Sequence, residues 1–317
     1  MSEMLIGKRE RMSWIEETSW GSGGTMSNGE VVGYDVTITP DFSKGYLDTL
    51  SAGADNRWVG RQDKSIEVLN YSMQFVPYNW RWLKYLFDVS DTGSDPYTHT
   101  FSLADTLNSF KLEWAKRHTT NHVLTLTGNV VKSATLKFAR AGEGNTESNI
   151  WVTLECIAKT LSQGSSVTTL SGGNPSKVPF QSRNVKLTLE GNEITEVNSG
   201  EMTITTGVRE EDSMYCNSTL DMAIGEPIPL VQKITGRFNI NIKDKTFFDM
   251  WDSEDALTGT NKLEIIRGAD DDIVFTFTDF YVHRGVAPTT IDGVTNVTLV
   301  WQANSVAPVA TDDIATY

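Results

Sequence analysis

The sequence predicts a mainly β protein built from two tandem copies of one domain, each copy with a single α-helix. Three observations lead to this prediction. Short stretches rich in Val, Ile, Thr, Leu and aromatic residues recur along the chain between turns of Gly, Asn and Asp. Helical periodicity is scarce. One strand–helix–strand order occurs twice, and 317 residues suffice for two domains of ordinary size.

The predicted strands alternate apolar and polar residues, which is typical of strands with one buried and one wet face. In the segment 235–243, Phe238 and Ile240 alternate with Arg237 and Asn239. The predicted strands are 31–39, 65–76, 109–116, 122–131, 133–139 and 150–161 in the first half, and 185–190, 201–208, 234–243, 262–267, 273–283 and 294–303 in the second.

Two segments have helical spacing of their apolar residues. The first runs from Asn79 to Phe87 and follows Pro77, which is a common helix-entry signal. The second runs from Asp244 to Trp251, where the Asp is a suitable N-cap. Each segment follows an alternating strand and precedes a strand that contains Lys-Leu-Glu, at 111–113 and 262–264.

A constant offset of 151 residues pairs the two halves without a gap over more than twenty residues. Leu124-Thr125-Leu126-Thr127 then falls on Phe275-Thr276-Phe277-Thr278. This recurrence indicates an internal duplication. Because Gly, Ser, Thr and Pro dominate the stretch between the copies, it is predicted to be a linker. The predicted organisation is an N-terminal arm at 1–29, a first domain at 30–161, a linker at 162–179, a second domain at 180–305 and a C-terminal tail at 306–317.

The chain is strongly acidic, with 27 Lys and Arg against 41 Asp and Glu, a net charge of −14. Tight nucleic-acid binding is therefore not expected, since phosphate contacts rely on clustered basic side chains. Residues 1–170 carry 16 basic and 19 acidic residues, and residues 171–317 carry 11 and 22, so most of the negative charge belongs to the second half. No apolar run approaches the ~18 residues of a membrane span. Two cysteines make no disulfide framework and fit a chain assembled in reducing cytosol.

No motif of catalysis, cofactor binding or metal binding stands out, so we expect neither an enzyme nor a cofactor. His118 and His122 have the i, i+4 spacing of metal ligands on a helix, but the residues between them have a turn composition. The acidic runs 210–212 and 270–272 are interpreted as solvated turns.

Aromatic side chains outside the periodic strands suggest contacts between subunits, because interfaces are rich in aromatic residues. The candidates are Trp14, Ile15, Trp20 and Trp58. The segment 1–28 is too long for one strand, and we interpret it as an arm that reaches a neighbouring subunit.

This arrangement resembles the major tail tube proteins of long-tailed viruses of bacteria and archaea. The resemblance covers nearly the whole chain. It rests on the N-terminal stretch from Gly7-Lys8-Arg9 through Glu16-Glu17-Thr18-Ser19-Trp20-Gly21, the strand–helix–strand unit with Leu83 to Phe87, and the strand Leu124 to Gly128 with its closing strand Trp151 to Lys159.

The resemblance implies a β-sandwich or small barrel with one flanking helix in each copy. It also implies a structural role in the virion tail, after assembly in the host cytoplasm. Six such domains form a ring and rings stack, so a duplicated chain implies three chains in a pseudo-sixfold ring. The implied partners are further copies of the chain and other tail proteins, namely the tape measure, terminator and distal tail proteins. Viral DNA passes through without specific binding, and no membrane is involved.

Polar residues on the strands before the helices are the candidates for lining the channel. They are Asp63, Glu67, Ser72, Gln74, Asn239 and Asn241. An acidic channel wall would repel DNA phosphates. The uneven charge of the two halves also allows much of the acidity to lie elsewhere.

Two other functions fit the sequence less well. A tail terminator or baseplate hub protein has the same domain but usually carries insertions. An extracellular glycan-binding β-sandwich protein would use Trp side chains as stacking platforms, but no signal peptide is visible.

Overall fold

The computed structural model describes residues 10–49, 61–116, 120–140, 149–172, 177–209, 224–241, 255–286 and 296–317, and the side chains of these except 43–49, 61–67 and 284–286. These residues form a mainly β structure, which confirms the predicted fold class. The strands all pair antiparallel. They are β1 (Glu10–Glu16), β2 (Glu30–Val31), β3 (Tyr34–Thr49), β4 (Arg61–Val76), β5 (Phe87–Gly93), β6 (Tyr97–Leu103), β7 (Phe110–Lys116), β8 (His122–Ala139), β9 (Trp151–Ala158), β10 (Thr160–Gly164), β11 (Val185–Leu189), β12 (Asn192–Ile194), β13 (Val197–Thr205), β14 (Lys233–Asn241), β15 (Asn261–Gly268), β16 (Asp271–Val286) and β17 (Asn296–Asp312).

Eight of these strands form one central sheet in the order β3-β4-β9-β8-β13-β14-β17-β16. The first four and the last four strands are arranged alike, since β3, β4, β9 and β8 stand in the same order as β13, β14, β17 and β16. The strands β1 and β7 extend β8 on one side, just as β11 and β15 extend β16. The two halves of the chain therefore follow one pairing scheme.

Local irregularities recur at the offset of 151 residues seen in the sequence. The pairing of β8 with β9 shifts register between Val131 and Ser133, and that of β16 with β17 shifts between Val282 and Arg284. Gly128 and Asp279 occupy another pair of equivalent positions, and both have a positive φ, of 64° and 48°. Because a bulge or a left-handed residue is a specific local feature, its recurrence is stronger evidence of related halves than strand order alone.

The core lies on one face of the central sheet and is rich in aromatic side chains. Trp14, Trp80, Trp82 and Trp301 are among the largest fully buried side chains. Trp301 stacks on Phe280 with ring centroids 4.9 Å apart. Each large apolar side chain that is fully buried contributes roughly 1.5–3 kcal/mol.

The first predicted helix differs in type from the structure. The segment Arg81–Tyr85 is a short 3₁₀ helix rather than an α-helix, with Leu83 N donating to Trp80 O over 3.0 Å. It carries no side-chain cap, and its apolar residues are buried on several sides instead of along one stripe. The second predicted helix, Asp244 to Trp251, lies outside the described residues.

The hairpin β5–β6 was not predicted, and it connects the two halves. Its second strand pairs with the end of β17 at Val309–Asp312, inside the segment that the sequence predicts as a tail. His99 on β6 is fully buried, with Nδ1 2.7 Å from Asp91 Oδ1 and Nε2 3.2 Å from Asp312 Oδ1. Tyr317 stacks on the imidazole at 3.7 Å. The hairpin thus fastens the first half to the end of the chain.

Candidate functional site

The face of the central sheet opposite the core carries a row of hydroxyl and amide side chains. Facing residues in neighbouring antiparallel strands place their side chains on the same face. The pairings align one such row across seven strands, and we call it the middle row: Thr37, Gln74, Thr153, Thr135, Thr203, Thr235 and Gln302. None of these side chains is buried. Four threonines, Thr153, Thr135, Thr203 and Thr235, stand side by side here because each strand alternates a small polar residue with an apolar one.

Two further rows flank the middle row and complete what we call the polar face. One row contains Thr39, Ser72, Glu155, Ser133, Thr205 and Lys233. The other contains Lys137, Glu201, Arg237 and Val300. In the alternate positions, residues such as Met73, Leu154 and Ile204 point into the core.

The polar face carries few charges, and they are of both signs. Arg237 Nη2 lies 2.9 Å from Glu201 Oε2, and Lys137 Nζ lies 3.5 Å from the same oxygen. Glu155 accepts a hydrogen bond of 3.0 Å from Ser133 Oγ. With two carboxylates against three basic side chains, these rows are not acidic. The expected acidic wall is therefore not found on the described part of this face, and the net charge of −14 is located elsewhere.

Four of the six predicted channel residues lie on the polar side of the sheet. Ser72 and Gln74 belong to the rows above. Asn239 Nδ2 donates to Ser199 Oγ over 2.7 Å, and Asn241 Oδ1 accepts from Asn198 Nδ2 over 2.6 Å. The two others, Asp63 and Glu67, belong to β4, but their side chains lie outside the described residues. Their role in lining a channel stays a prediction.

The predicted interface residues occupy different environments. Trp14 is 1% exposed, and its ring makes a T-shaped contact with Phe75 at 5.6 Å, so its own chain already covers it. It lies on β1, which pairs along its length with β7 of the same chain where the sequence predicts an arm. A stacking platform for sugars needs an exposed ring, so Trp14 does not provide one.

Ile15 and Trp20 are half-buried, and Trp58 lies outside the described residues. Trp20 donates from Nε1 to Gly128 O over 3.2 Å and has Lys159 Nζ 4.2 Å from its ring. Of the four candidates, Ile15 and Trp20 are the described side chains with surface left for a neighbouring subunit.

Sequence reasoning missed the buried carboxylate of Glu17. Its oxygens accept hydrogen bonds from the backbone N–H of Gly128 at 3.1 Å and of Gly21 at 2.9 Å, and from Ser109 Oγ at 2.8 Å. These contacts hold the positive-φ turn at the centre of β8. A glutamate in a segment taken for an arm carries no local signal of such a long-range role.

The described residues offer little for catalysis. Burial raises the pKa of the Cys156 thiol to about 12, so it stays protonated at neutral pH and is a poor nucleophile. Within these residues, no group of three or more His, Cys, Asp or Glu side chains is arranged to hold a metal ion. None of the helices they form is long and apolar enough to cross a membrane.

A comparison with family models gives one match. The model described as "Phage tail tube protein" covers residues 7–303, which is nearly the whole chain. A comparison with curated proteins finds no match. The family is one of structural components of the virion tail. The chain therefore belongs to the phage tail tube protein family.

Proposed function

We propose that this protein is the tail tube subunit itself, which polymerises as stacked rings around a channel for viral DNA. The continuous eight-stranded sheet carries the proposal, because one face of it carries rows of mostly polar side chains and consists of two alike halves. The polar face lines the channel. Its hydroxyl and amide groups carry few charges, and the two basic side chains Lys137 and Arg237 are paired with Glu201, so DNA slides past without binding.

We infer that the two halves are copies of one domain, with the boundaries 30–161 and 180–305 and a linker at 162–179. The recurring register shift and the recurring positive φ support this inference. Three chains then supply six domains, and three times eight strands give a ring of twenty-four. The ring is pseudo-sixfold because the two copies differ in sequence.

The junction inside the chain provides a template for the junction between chains. Within the chain, β8 of the first copy pairs with β13 of the second, and Ala134 faces Ile204. The equivalent strands at the two ends of the sheet are β16 and β3. Among the described strands, β3 pairs only with β4, and the end of β16 at 284–286 pairs only with β17. Such free edges invite pairing with another chain.

The equivalence of the copies also fixes the register between chains. Because Gly285 is equivalent to Ala134 and Phe42 to Ile204, Gly285 of one chain faces Phe42 of the next. Within the chain, the small Ala134 faces the branched Ile204. Between chains, the smaller Gly285 faces the larger Phe42. The combined volume is similar, which suits one packing geometry at both junctions. Phe42 is half-buried within its own chain, so it retains surface for this contact.

Electron microscopy of the purified protein tests the function. We expect rings with three identical subunits and a central channel, and tubes of stacked rings. The mass of one ring is three times 35.2 kDa. A protein that stays monomeric at high concentration would overturn the proposal.

A disulfide test examines the junction. The natural cysteines are first replaced (Cys156→Ala, Cys216→Ser), and Phe42→Cys is combined with Gly285→Cys. The Cα atoms of facing residues in paired strands lie within the ~4.4–6.8 Å that a disulfide spans. Within one chain, β3 and β16 lie at opposite edges of the central sheet, so the two cysteines can form a disulfide only between chains. We expect linked species of two and three chains on a non-reducing gel. The control pair, Pro40→Cys with Gly285→Cys, is displaced by two residues and should link far less. Equal linking by both pairs would refute the register.

A further inference from the structure

We propose that rings stack by docking an exposed apolar segment of one chain into a cavity at the opposite end of the sheet in a second copy. The segment is Pro227–Val231, which we call the apolar segment. The cavity is lined by Phe138, Arg140, Ser182, Arg183, Val185, Val197 and Asn198, and we call it the end cavity. The inference rests on the proposed function, since it names the surfaces through which one ring meets the next.

The apolar segment leaves large aliphatic side chains in water. Ile228 is 53% exposed, Leu230 50% and Val231 84%, although they are almost consecutive. Isolated apolar residues on a surface are ordinary, but a contiguous group marks an interaction site. The segment is held in place, because Leu230 N donates to Thr206 O over 3.1 Å. Two prolines restrict its backbone further, so docking costs little conformational entropy.

The end cavity has a volume of about 390 Å³. This lies within the roughly 300–1,000 Å³ of typical binding cavities. Phe138, Val185 and Val197 supply apolar lining, which suits aliphatic side chains. The charged groups that line the cavity are the two exposed arginines, Arg140 and Arg183.

Both features lie at the ends of the same strand. Val197 begins β13 and lines the end cavity, whereas the chain leaves the other end of β13 at Thr205 towards the apolar segment. The eight residue-to-residue steps from Val197 to Thr205, at about 3.3 Å each, separate the two sites by roughly 26 Å. One chain therefore cannot fill its own cavity. The contact joins two different surfaces, the apolar segment of one chain and the end cavity of another, which lie at opposite ends of the strands. Such a head-to-tail contact along the strand direction does not close into a ring, so it can repeat without limit, as stacking into a tube requires.

The charges near the two surfaces are complementary. Glu226 directly precedes the apolar segment, and its side chain is exposed and acidic. Its charge is opposite to that of the two arginines that line the end cavity. Such complementarity orients the partners and disfavours stacking of two like ends.

The variant Val231→Lys tests the inference by electron microscopy and sedimentation. The Val231 side chain is 84% exposed, so the fold should tolerate the change. We expect rings of normal mass and diameter but at least about a tenfold smaller fraction of rings in stacks, because the added cation would enter a cavity that is already lined by two arginines. The matched control is Leu103→Lys, since Leu103 is 66% exposed on β6 and should leave stacking unchanged.

A second measurement detects the contact directly. In the background without natural cysteines, Val231→Cys combined with Asn198→Cys should form disulfides only between chains, since roughly 26 Å within one chain far exceeds the reach of a disulfide. Leu103→Cys in place of Asn198→Cys should not link.

The outcomes separate this inference from the function on which it rests. If Val231→Lys stacks like the unmodified protein and the cysteine pair does not link, rings stack through other surfaces and the inference is wrong, while the tube function stands. If the unmodified protein forms no rings, the proposed function itself fails.

Discussion

Replacing Gly128 by Ala should destabilise the protein through two separable effects. Gly128 has a φ of 64°, in the left-handed region, where an L-residue with a Cβ costs about 1–2 kcal/mol. Loss of glycine's flexibility in the unfolded chain returns about 0.4–1 kcal/mol. An added Cβ would also lie 2.6 Å from Lys159 Cβ and 3.2 Å from Trp20 Nε1. Because Lys159 Cβ is held by the backbone, relief needs a strand shift costing about 1–3 kcal/mol.

The expected loss for Gly128→Ala is therefore roughly 1–5 kcal/mol of unfolding free energy. Gly191→Ala is the matched control, since Gly191 has a similar φ of 77° but nothing within 4 Å of the added Cβ. The control should lose roughly 0–1.6 kcal/mol. Urea unfolding, monitored by tryptophan fluorescence, gives both values under identical conditions. If Gly128→Ala lost no more stability than Gly191→Ala, the close approach of Lys159 would carry no energy and the reasoning would be refuted.

Three further predictions concern the hairpin, the core and the polar face. His99→Leu should lower the unfolding free energy by about 2 kcal/mol, because it removes the imidazole that joins the buried Asp312 to the half-buried Asp91. Hydrogen exchange should show earlier opening of β6. Burial raises the pKa of the Cys156 thiol from 9.0 in the unfolded chain to about 12 in the folded protein. The thiol is protonated in both states below about pH 9, so the free energy of unfolding should fall only as the pH rises from about 9 towards 12, by up to about 1.4 kcal/mol per pH unit. Urea titrations of Cys156→Val should show a weaker dependence on pH. Thr203→Lys should slow DNA release from assembled particles several-fold at low salt, because it adds cations to the polar face, and high salt should restore the rate. The control Thr203→Gln should leave the rate of DNA release unchanged. A slower release that does not depend on salt would contradict the electrostatic explanation.

The N-terminal segment illustrates why sequence patterns alone misjudged some elements. The sequence suggests that Trp14 lies in an arm at a subunit contact, yet β1 pairs with β7 of its own chain and buries that ring. Strand pairing is a long-range choice, and the roughly hundred residues between β1 and β7 leave no trace of it in either segment. The hairpin β5–β6 escaped prediction for a related reason, since its polar residues resemble a loop until β17 provides a partner.

The type of the first helix was also decided by tertiary packing. Spacing within Asn79–Phe87 fits an α-helix, but Trp80 and Trp82 are both fully buried, with ring centroids 6.3 Å apart. Packing on several sides allows only the short 3₁₀ turn before β5 begins. Local periodicity describes one face of an element and cannot describe a segment surrounded by core.

The sequence by itself determined the mainly β class, the alternation that makes one face of each central strand polar, and the recurrence at an offset of 151 residues. These are local or repeated patterns, and side-chain alternation follows directly from strand geometry. Only the tertiary structure decided which strands are neighbours, and with them the alignment of Thr135 with Thr203 across the junction of the two halves. It also decided which charges meet. Composition gives a net charge of −14 for the chain, but only the fold brings Glu201 next to Lys137 and Arg237 on the polar face, and these residues are distant in sequence.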